Sequence, residues 1–129
     1  MFLRSQRAPV TEWVNDVVGV VAGLQAQVAA TPSRLLVALF PDQLQIDAPQ
    51  RDAILAGAGF PPADFDADGL TALLRSTLTA RGVAVVDVTP ALAVAPHTPR
   101  LYRRQDVHWT IAGNTIAAQA VLAALTDVR

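Results

Sequence analysis

Asp106 and His108 are the residues whose types and spacing point most directly to chemistry. They are two positions apart, so in an extended segment both side chains lie on the same side of the chain. A carboxylate can orient an imidazole ring, and the ring can then take a proton from a nucleophile. The sequence therefore predicts half of a proton-transfer site, and the remaining question is where the other half lies.

The residues that follow this pair predict a rigid support for it. Thr110 is a candidate helix N-cap, because its hydroxyl can accept a hydrogen bond from a free backbone N–H of the first helical turn. The apolar residues beyond it keep helical spacing, which predicts one buried face. They are Ile116, Ala117, Ala120, Val121, Ala124 and Leu125.

Length and composition indicate one globular domain and exclude several classes of protein. The chain has 129 residues, of which 52% are hydrophobic and 16% charged, and this balance is typical of a folded domain. The formal net charge is −1 and all ten basic residues are arginine. Without a basic run we expect neither nucleic acid nor an anionic membrane surface as partner.

Targeting segments and cysteine chemistry are not evident either. No apolar run reaches the ~18 residues of a membrane span, and the first residues lack the apolar core of a signal peptide. The absence of cysteine excludes thiolate catalysis and cysteine-based zinc sites. These features leave the compartment open. The first ten residues suggest a polar lead-in to a helix.

Helices and strands are predicted to alternate, which favours an α/β fold with a parallel sheet. Two short apolar runs bounded by proline or glycine indicate strands buried on both faces. The expected helices have apolar residues three and four apart, and Gly82 is placed where a left-handed residue ends a helix. The expected helices span 10–30 (capped by Thr11), 52–58 and 70–81, and the expected strands span 34–40 and 83–88.

Other polar residues suggest functions that a structural role explains more simply. Asn15-Asp16 is a candidate oxyanion donor pair or a solvated helix face, and Asp42-Gln43 is a site lining or a loop. Asp87, near the end of a predicted strand, either holds a loop in place or lies close to the site. Asp64, Asp66 and Asp68 alternate as in a calcium loop, but the twelfth position holds Arg75 instead of glutamate. Asp68 is then a helix cap.

His97 leaves a metal site open as an alternative. Together with Asp106 and His108 it would make three ligands, but their spacing matches no zinc pattern. An exposed histidine in a proline-rich loop is the simpler interpretation. We therefore expect neither a metal nor another cofactor.

The block from Leu101 to the final helix resembles the C-terminal catalytic block of SGNH/GDSL-type hydrolases. Its motif is Asp106-x-His108-Trp109-Thr110 followed by Gly113. It is most similar to the D-x-H-W variants of SGNH hydrolase-like proteins and alginate-type polysaccharide O-acetyltransferases. The resemblance covers residues 12–126 and implies a three-layer α/β/α fold with a mainly parallel, flavodoxin-like sheet.

The resemblance also implies roles for these residues. In the family a serine attacks an ester carbonyl, a histidine takes its proton and an aspartate orients the histidine. His108 then corresponds to the general base and Asp106 to its orienter. Trp109 would hold the loop in place, or serve packing alone, and Gly113 would let the helix pack closely. The implied substrate is a small-molecule or carbohydrate ester.

The chain departs from the family in one respect, because it contains no Gly-Asp-Ser nucleophile motif. Its serines are Ser5, Ser33 and Ser76, and none lies in a tight turn that would present a nucleophile. The serine block precedes the segments seen here in most members and follows the Asp-His block in the alginate-type acetyltransferases. We expect an SGNH domain without its N-terminal strands, and self-association through the sheet edge left exposed.

Two functions follow from these expectations. In the first, residues 1–129 form one partial SGNH domain of an esterase or acyltransferase and supply the Asp-His arm of its triad. In the second, the chain is a non-catalytic relic or binding module of the same fold. The motif favours the first function, and the missing nucleophile favours the second.

Overall fold

The computed structural model describes residues 2–96, 98–104, 106 and 108–127. Four strands and six α-helices, with two short 3₁₀ turns at Arg4–Gln6 and Pro62–Asp64, make up this part of the chain. In order they are β1 (Phe2–Leu3), α1 (Arg7–Ala29), β2 (Leu36–Leu39), α2 (Gln43–Ile46), α3 (Ala48–Gly57), β3 (Phe65–Asp66), α4 (Gly69–Ala80), β4 (Ala84–Asp87), α5 (Thr89–Ala93) and α6 (Ile111–Asp127).

The strands β2 and β4 form a parallel pair, as the alternation predicts. Their register sets Leu36 beside Ala84 and Leu39 beside Asp87. Both strands are half-buried along their whole length, although full burial was expected. Within the described residues this pair has no third strand beside it. The α/β class is therefore confirmed, whereas a mainly parallel, three-layer sheet is not established by two strands.

Two apolar clusters form the core. The first joins α1, α4 and the sheet, with Val14, Val18 and Leu78 at its centre. The second joins α5, α6 and the loop before α6, and its innermost residues are Val88 and Leu92. The second cluster packs the base of the Asp106–His108 segment, so the stability of that segment depends on α5 and α6.

The beginning of the chain is part of the fold, which corrects the expectation of a polar lead-in. Strand β1 pairs antiparallel with β3, and the Phe2 side chain is buried in the first cluster. The Asp66 carboxylate forms ion pairs with the guanidinium groups of Arg4 and Arg7, at 3.6 and 3.7 Å. Helix α1 consequently begins at Arg7, one turn before the predicted cap, and the Thr11 hydroxyl donates to the Arg7 carbonyl instead.

Helix α4 lies within one residue of the predicted range 70–81, whereas α3 begins at Ala48, four residues before the predicted start, because the Asp47 side chain caps it there. Gly82 has φ of 74° after α4, as expected of a left-handed helix stop. Asp68 precedes α4 but makes no side-chain capping bond. The short helices α2 and α5 were not predicted, because four or five residues are too few to show helical periodicity. Among the described residues, no helix is long and apolar enough to cross a membrane.

Candidate active site

The described segment before Asp106 and the segment that starts at His108 run antiparallel, and we call residues 100–103, 106 and 108–110 the site hairpin. Tyr102 and Trp109 form its β-bridge. The Arg103 N–H donates to the His108 carbonyl at 3.0 Å, and the Thr110 N–H donates to the Leu101 carbonyl at 2.9 Å. These two hydrogen bonds determine the position of the His108 backbone relative to residues 101–103.

Two aromatic residues hold the hairpin against the carboxyl end of β2. The Tyr102 hydroxyl donates to the Pro41 carbonyl at 2.7 Å. Trp109 contacts Phe40 edge to face, with ring centroids 4.9 Å apart. Burial raises the pKa of Tyr102, so the phenol keeps the proton that it donates to Pro41. The predicted pair therefore lies beside the carboxyl end of β2. In open α/β sheets, ligands bind at this end of the strands.

Thr110 and Gly113 join the hairpin to α6. The Thr110 hydroxyl accepts from the Gly113 N–H at 3.3 Å, which is the predicted capping bond. The same hydroxyl donates to the Arg100 carbonyl at 2.6 Å. A Cβ at Gly113 would lie 2.4 Å from the Leu101 carbonyl oxygen. Only glycine allows the helix to approach the hairpin this closely.

Asp106 and His108 do contact each other, although the local backbone is not the extended one expected. Both residues lie in bends. Asp106 Oδ1 accepts from the His108 backbone N–H at 3.1 Å and also from the His108 ring nitrogen Nδ1. These bonds, the ring bond first, hold the pKa of Asp106 below its usual value. A short turn closed by the aspartate, and not strand alternation, brings the two side chains together.

This hydrogen bond determines which histidine nitrogen is available for chemistry. A carboxylate only accepts, so Nδ1 carries the proton and the neutral ring presents the lone pair of Nε2. The His108 side chain is 77% exposed and that of Asp106 36%. Nε2 is therefore accessible to a group that approaches from outside.

An open cleft of about 620 Å³ surrounds the pair and is lined also by Arg103, Trp109 and Asn114. The Asn114 amide donates to the Thr110 carbonyl at 3.0 Å, which turns this side chain back onto its own helix. Sequence reasoning missed Arg103, Asn114 and Phe40 as neighbours of the site. Asn114 sits one turn into α6 and could have been found from the helix start, whereas Phe40 is brought in only by tertiary packing.

None of the three serines approaches this cleft. Ser5 lies in the 3₁₀ turn before α1, and Ser33 lies in the turn before β2, at the opposite end of the strand. Ser76 is within α4, where its hydroxyl donates to the Leu73 carbonyl at 3.0 Å. Among the described residues, therefore, no serine lines the cleft that contains His108.

The remaining polar candidates do not line this cleft. Asn15 and Asp16 are exposed on α1, and Asp42 caps α2 in a reciprocal bond with Gln45. Asp87 pairs with Arg75 at 3.3 Å. No three acidic or histidine side chains meet as a metal site in the described part of the chain. His97, needed for the alternative metal set, lies outside the described residues.

Comparison with known proteins supplies the family. Residues 1–129 match the family described as SGNH hydrolase-like domain, acetyltransferase AlgX. No curated protein and no solved structure matches the chain significantly.

Proposed function

Because the chain belongs to the SGNH hydrolase-like domain family of acetyltransferase AlgX, we propose that Asp106 and His108 are the acid–base arm of a Ser-His-Asp acyl-transfer site. The observation that carries the proposal is the bond between the Asp106 carboxylate and His108 Nδ1. Because Nδ1 carries the proton of this bond, Nε2 is the ring nitrogen that can accept one, and it lies beside the carboxyl end of β2. The substrate class is an ester of a small molecule or a carbohydrate.

In this mechanism His108 Nε2 takes the proton of a serine hydroxyl while the serine oxygen bonds to the ester carbonyl carbon. The resulting imidazolium is stabilised by the Asp106 carboxylate. The proton then passes to the departing alcohol oxygen as its bond to the carbonyl carbon breaks. Water or an acceptor hydroxyl next gives its proton to Nε2 as its oxygen bonds to the acyl carbon. Nε2 then returns that proton to the serine oxygen as the bond between serine and acyl carbon breaks.

The serine comes from outside the 129 residues in this proposal. The chain's own serines are remote from the cleft, and Ser76 is bonded within α4. The resemblance implies a serine block before the segments seen here in most members of the superfamily, and after the Asp-His block in the alginate-type acetyltransferases. The N-terminal position expected from the sequence therefore stays a prediction, with a position after α6 as its alternative.

The test joins the serine-bearing segment to the chain and measures hydrolysis of p-nitrophenyl acetate. The 129-residue chain alone is expected to give the background rate, and the joined protein a rate at least ~10³-fold higher. His108→Ala in the joined protein should remove this gain. Ser76→Ala is the matched control and should retain it. Ester hydrolysis that survives His108→Ala would refute the assignment.

A non-catalytic binding module is the second candidate, and the exposure of His108 together with the remote serines favours it. It predicts that the joined protein stays at the background rate although it folds. In that case, substitution of Asp106 or His108 would change neither the rate nor the folding. The two functions are thus separated by one assay.

A further inference from the structure

Helix α6 carries a stripe of small and apolar side chains that begins beside the Asp106–His108 pair. From Asn114 onward its members have the spacing of one helix face. They are Ala117, Ala118, Val121, Leu122 and Leu125. Leu122 is 63% exposed and Leu125 49%, so the described residues leave the far end of this stripe uncovered.

The stripe, together with Phe40 and Trp109, lines an apolar groove of about 530 Å³. Phe40 is half exposed. Apart from the Asn114 amide and the indole N–H of Trp109, the described side chains that line the groove are hydrocarbon. A dry apolar cavity of roughly 150 Å³ accommodates the six carbons of benzene. The groove therefore has room for a considerably longer hydrocarbon.

The groove adjoins the cleft around His108, because Trp109 and Asn114 line both. The two spaces differ in chemistry, since Arg103 and Asp106 make the cleft polar and charged. An ester has an alcohol part on one side of its carbonyl and an acyl part on the other. With the carbonyl carbon near His108, the polar cleft suits a hydroxylated alcohol and the groove suits a hydrocarbon acyl chain.

The length of the groove distinguishes it from a site for an acetyl group. Leu125 lies eleven positions beyond Asn114, which is about 16 Å along the helix axis at 1.5 Å per residue. An acetyl group has a single carbon beyond its carbonyl, at a bond length of about 1.5 Å, and would leave most of the groove empty. An extended aliphatic chain can instead follow the stripe from Asn114 toward Leu125.

We propose that this groove binds the acyl chain of the substrate, an unbranched aliphatic chain of about six to ten carbons, with the ester carbonyl beside His108. The inference rests on the proposed acyl-transfer function, but binding of a hydrocarbon to the groove requires no serine. Full burial of a methylene group corresponds to about a fourfold gain in affinity. Because the groove is open on one side, we expect about a twofold to fourfold gain for each methylene.

Binding is tested on the 129-residue chain by NMR titration with acetamide, butanamide, hexanamide and octanamide, which are neutral and are not hydrolysed like esters. Affinity should rise with each methylene. The chain has two tryptophans, Trp13 and Trp109, whose indole N–H signals report the location. The Trp109 signal should shift and the Trp13 signal should not. Shifts confined to Trp13 would place the hydrocarbon on α1, and an affinity independent of chain length would show no acyl-chain site; either result overturns the proposal.

A pair of matched variants tests the position of the chain in the groove. Ala118→Glu introduces a charge among the lining side chains, which disfavours hydrocarbon there, and should lower the affinity for octanamide by at least ~10-fold. Ala123→Glu is the control, because Ala123 is also an exposed alanine of α6 but does not line the groove. It should bind octanamide like the wild type. Equal losses in both variants would contradict the proposed position.

The catalytic use of the groove is tested in the joined protein with p-nitrophenyl esters from acetate to octanoate. The value of kcat/KM should rise with acyl length, and Ala118→Glu should remove this rise while Ala123→Glu retains it. Equal hydrolysis of all esters would overturn the acyl-chain inference and leave the Asp-His assignment intact. Octanamide that binds the 129-residue chain but not the joined protein would mean that the joined segment fills the groove, which also overturns the inference. No hydrolysis of any ester, with octanamide still bound at Trp109, would refute the acyl-transfer function and uphold the groove as a hydrocarbon site.

Discussion

The base and the tip of the site hairpin differ in how the chain holds them. At the base, Leu101 and Tyr102 are buried, and Trp109 packs between Phe40 and Tyr102. At the tip, Asp106 and His108 are bonded to each other and open to solvent. The base is anchored to β2 and α6, whereas the orientation of the tip side chains depends on one local turn.

The base and the tip of the site hairpin therefore have different roles. The base determines where the tip projects, because its hydrogen bonds and ring contacts connect three elements of the fold. The tip determines which nitrogen of His108 is free. A substitution at the base should therefore change the free energy of unfolding, and one at the tip should change protonation behaviour with little effect on folding.

The largest effect is expected from Gly113→Ala. The added Cβ would lie 2.4 Å from the Leu101 carbonyl oxygen, so the hairpin and α6 must separate. We expect a loss of about 3 kcal/mol in the free energy of unfolding, measured by urea denaturation. Gly19→Ala is the control, since its Cβ meets nothing within 4 Å, and it should gain about 0.5 to 1 kcal/mol. Equal effects at both glycines would contradict the close approach.

A smaller effect is expected from Tyr102→Phe. The variant keeps the ring contacts but removes the hydroxyl that donates to the Pro41 carbonyl. The loss should be about 1 kcal/mol, the usual net value of one hydrogen bond. Thr115→Val removes an exposed hydroxyl that donates to the Ile111 carbonyl, and this control should change stability less. If the two substitutions have the same effect, the hydroxyl of Tyr102 does not anchor the hairpin.

The smallest effect on folding is expected at the tip, where pH is the informative variable. The pKa of Asp106 is lowered in the folded chain, chiefly by the hydrogen bond from the His108 ring. Any stability from this contact is therefore present above the unfolded aspartate pKa of about 3.9 and is lost as pH falls through the lowered folded value. The Asp106 carboxyl carbon, followed by NMR, should titrate below that value.

Asp106→Asn provides the matching variant, because the amide cannot act as an anion toward the ring. It should leave the urea midpoint unchanged while altering the ¹⁵N shifts of the His108 ring at neutral pH. Unchanged ring shifts would mean that Asp106 does not determine the tautomer. A large fall in the urea midpoint would instead mean that the contact between Asp106 and His108 helps to stabilise the fold.

Several features were determined by local sequence. The helix over 70–81 and the N-cap at Thr110 depend on periodicity and on a side chain that bonds within its own turn, so neighbouring residues suffice to predict them. The Asp106–His108 contact belongs to the same group, since the two residues are only two positions apart. The reason for the contact was different from the predicted one, because a turn and not an extended segment joins them.

Other features could be decided only by the tertiary structure. Phe2 is buried because Phe65 and Asp66, more than sixty positions away, provide a strand for β1. Tyr102 is anchored by Pro41, which is 61 positions distant. Leu125 keeps the helical spacing of a buried residue but remains about half exposed, because nothing among the described residues covers that end of α6.

The sequence by itself thus determined the pairing of Asp106 with His108, the helix that begins beside them and the alternation of helices and strands. The tertiary structure alone decided that this pair lies beside the carboxyl end of β2, that the base of the site hairpin is buried while its tip is exposed, and that Trp13 and Val20 of α1 stay exposed. The physical reason is the distance along the sequence over which each interaction acts. Hydrogen bonds and periodicity act over a few residues, whereas burial depends on which distant segments pack together.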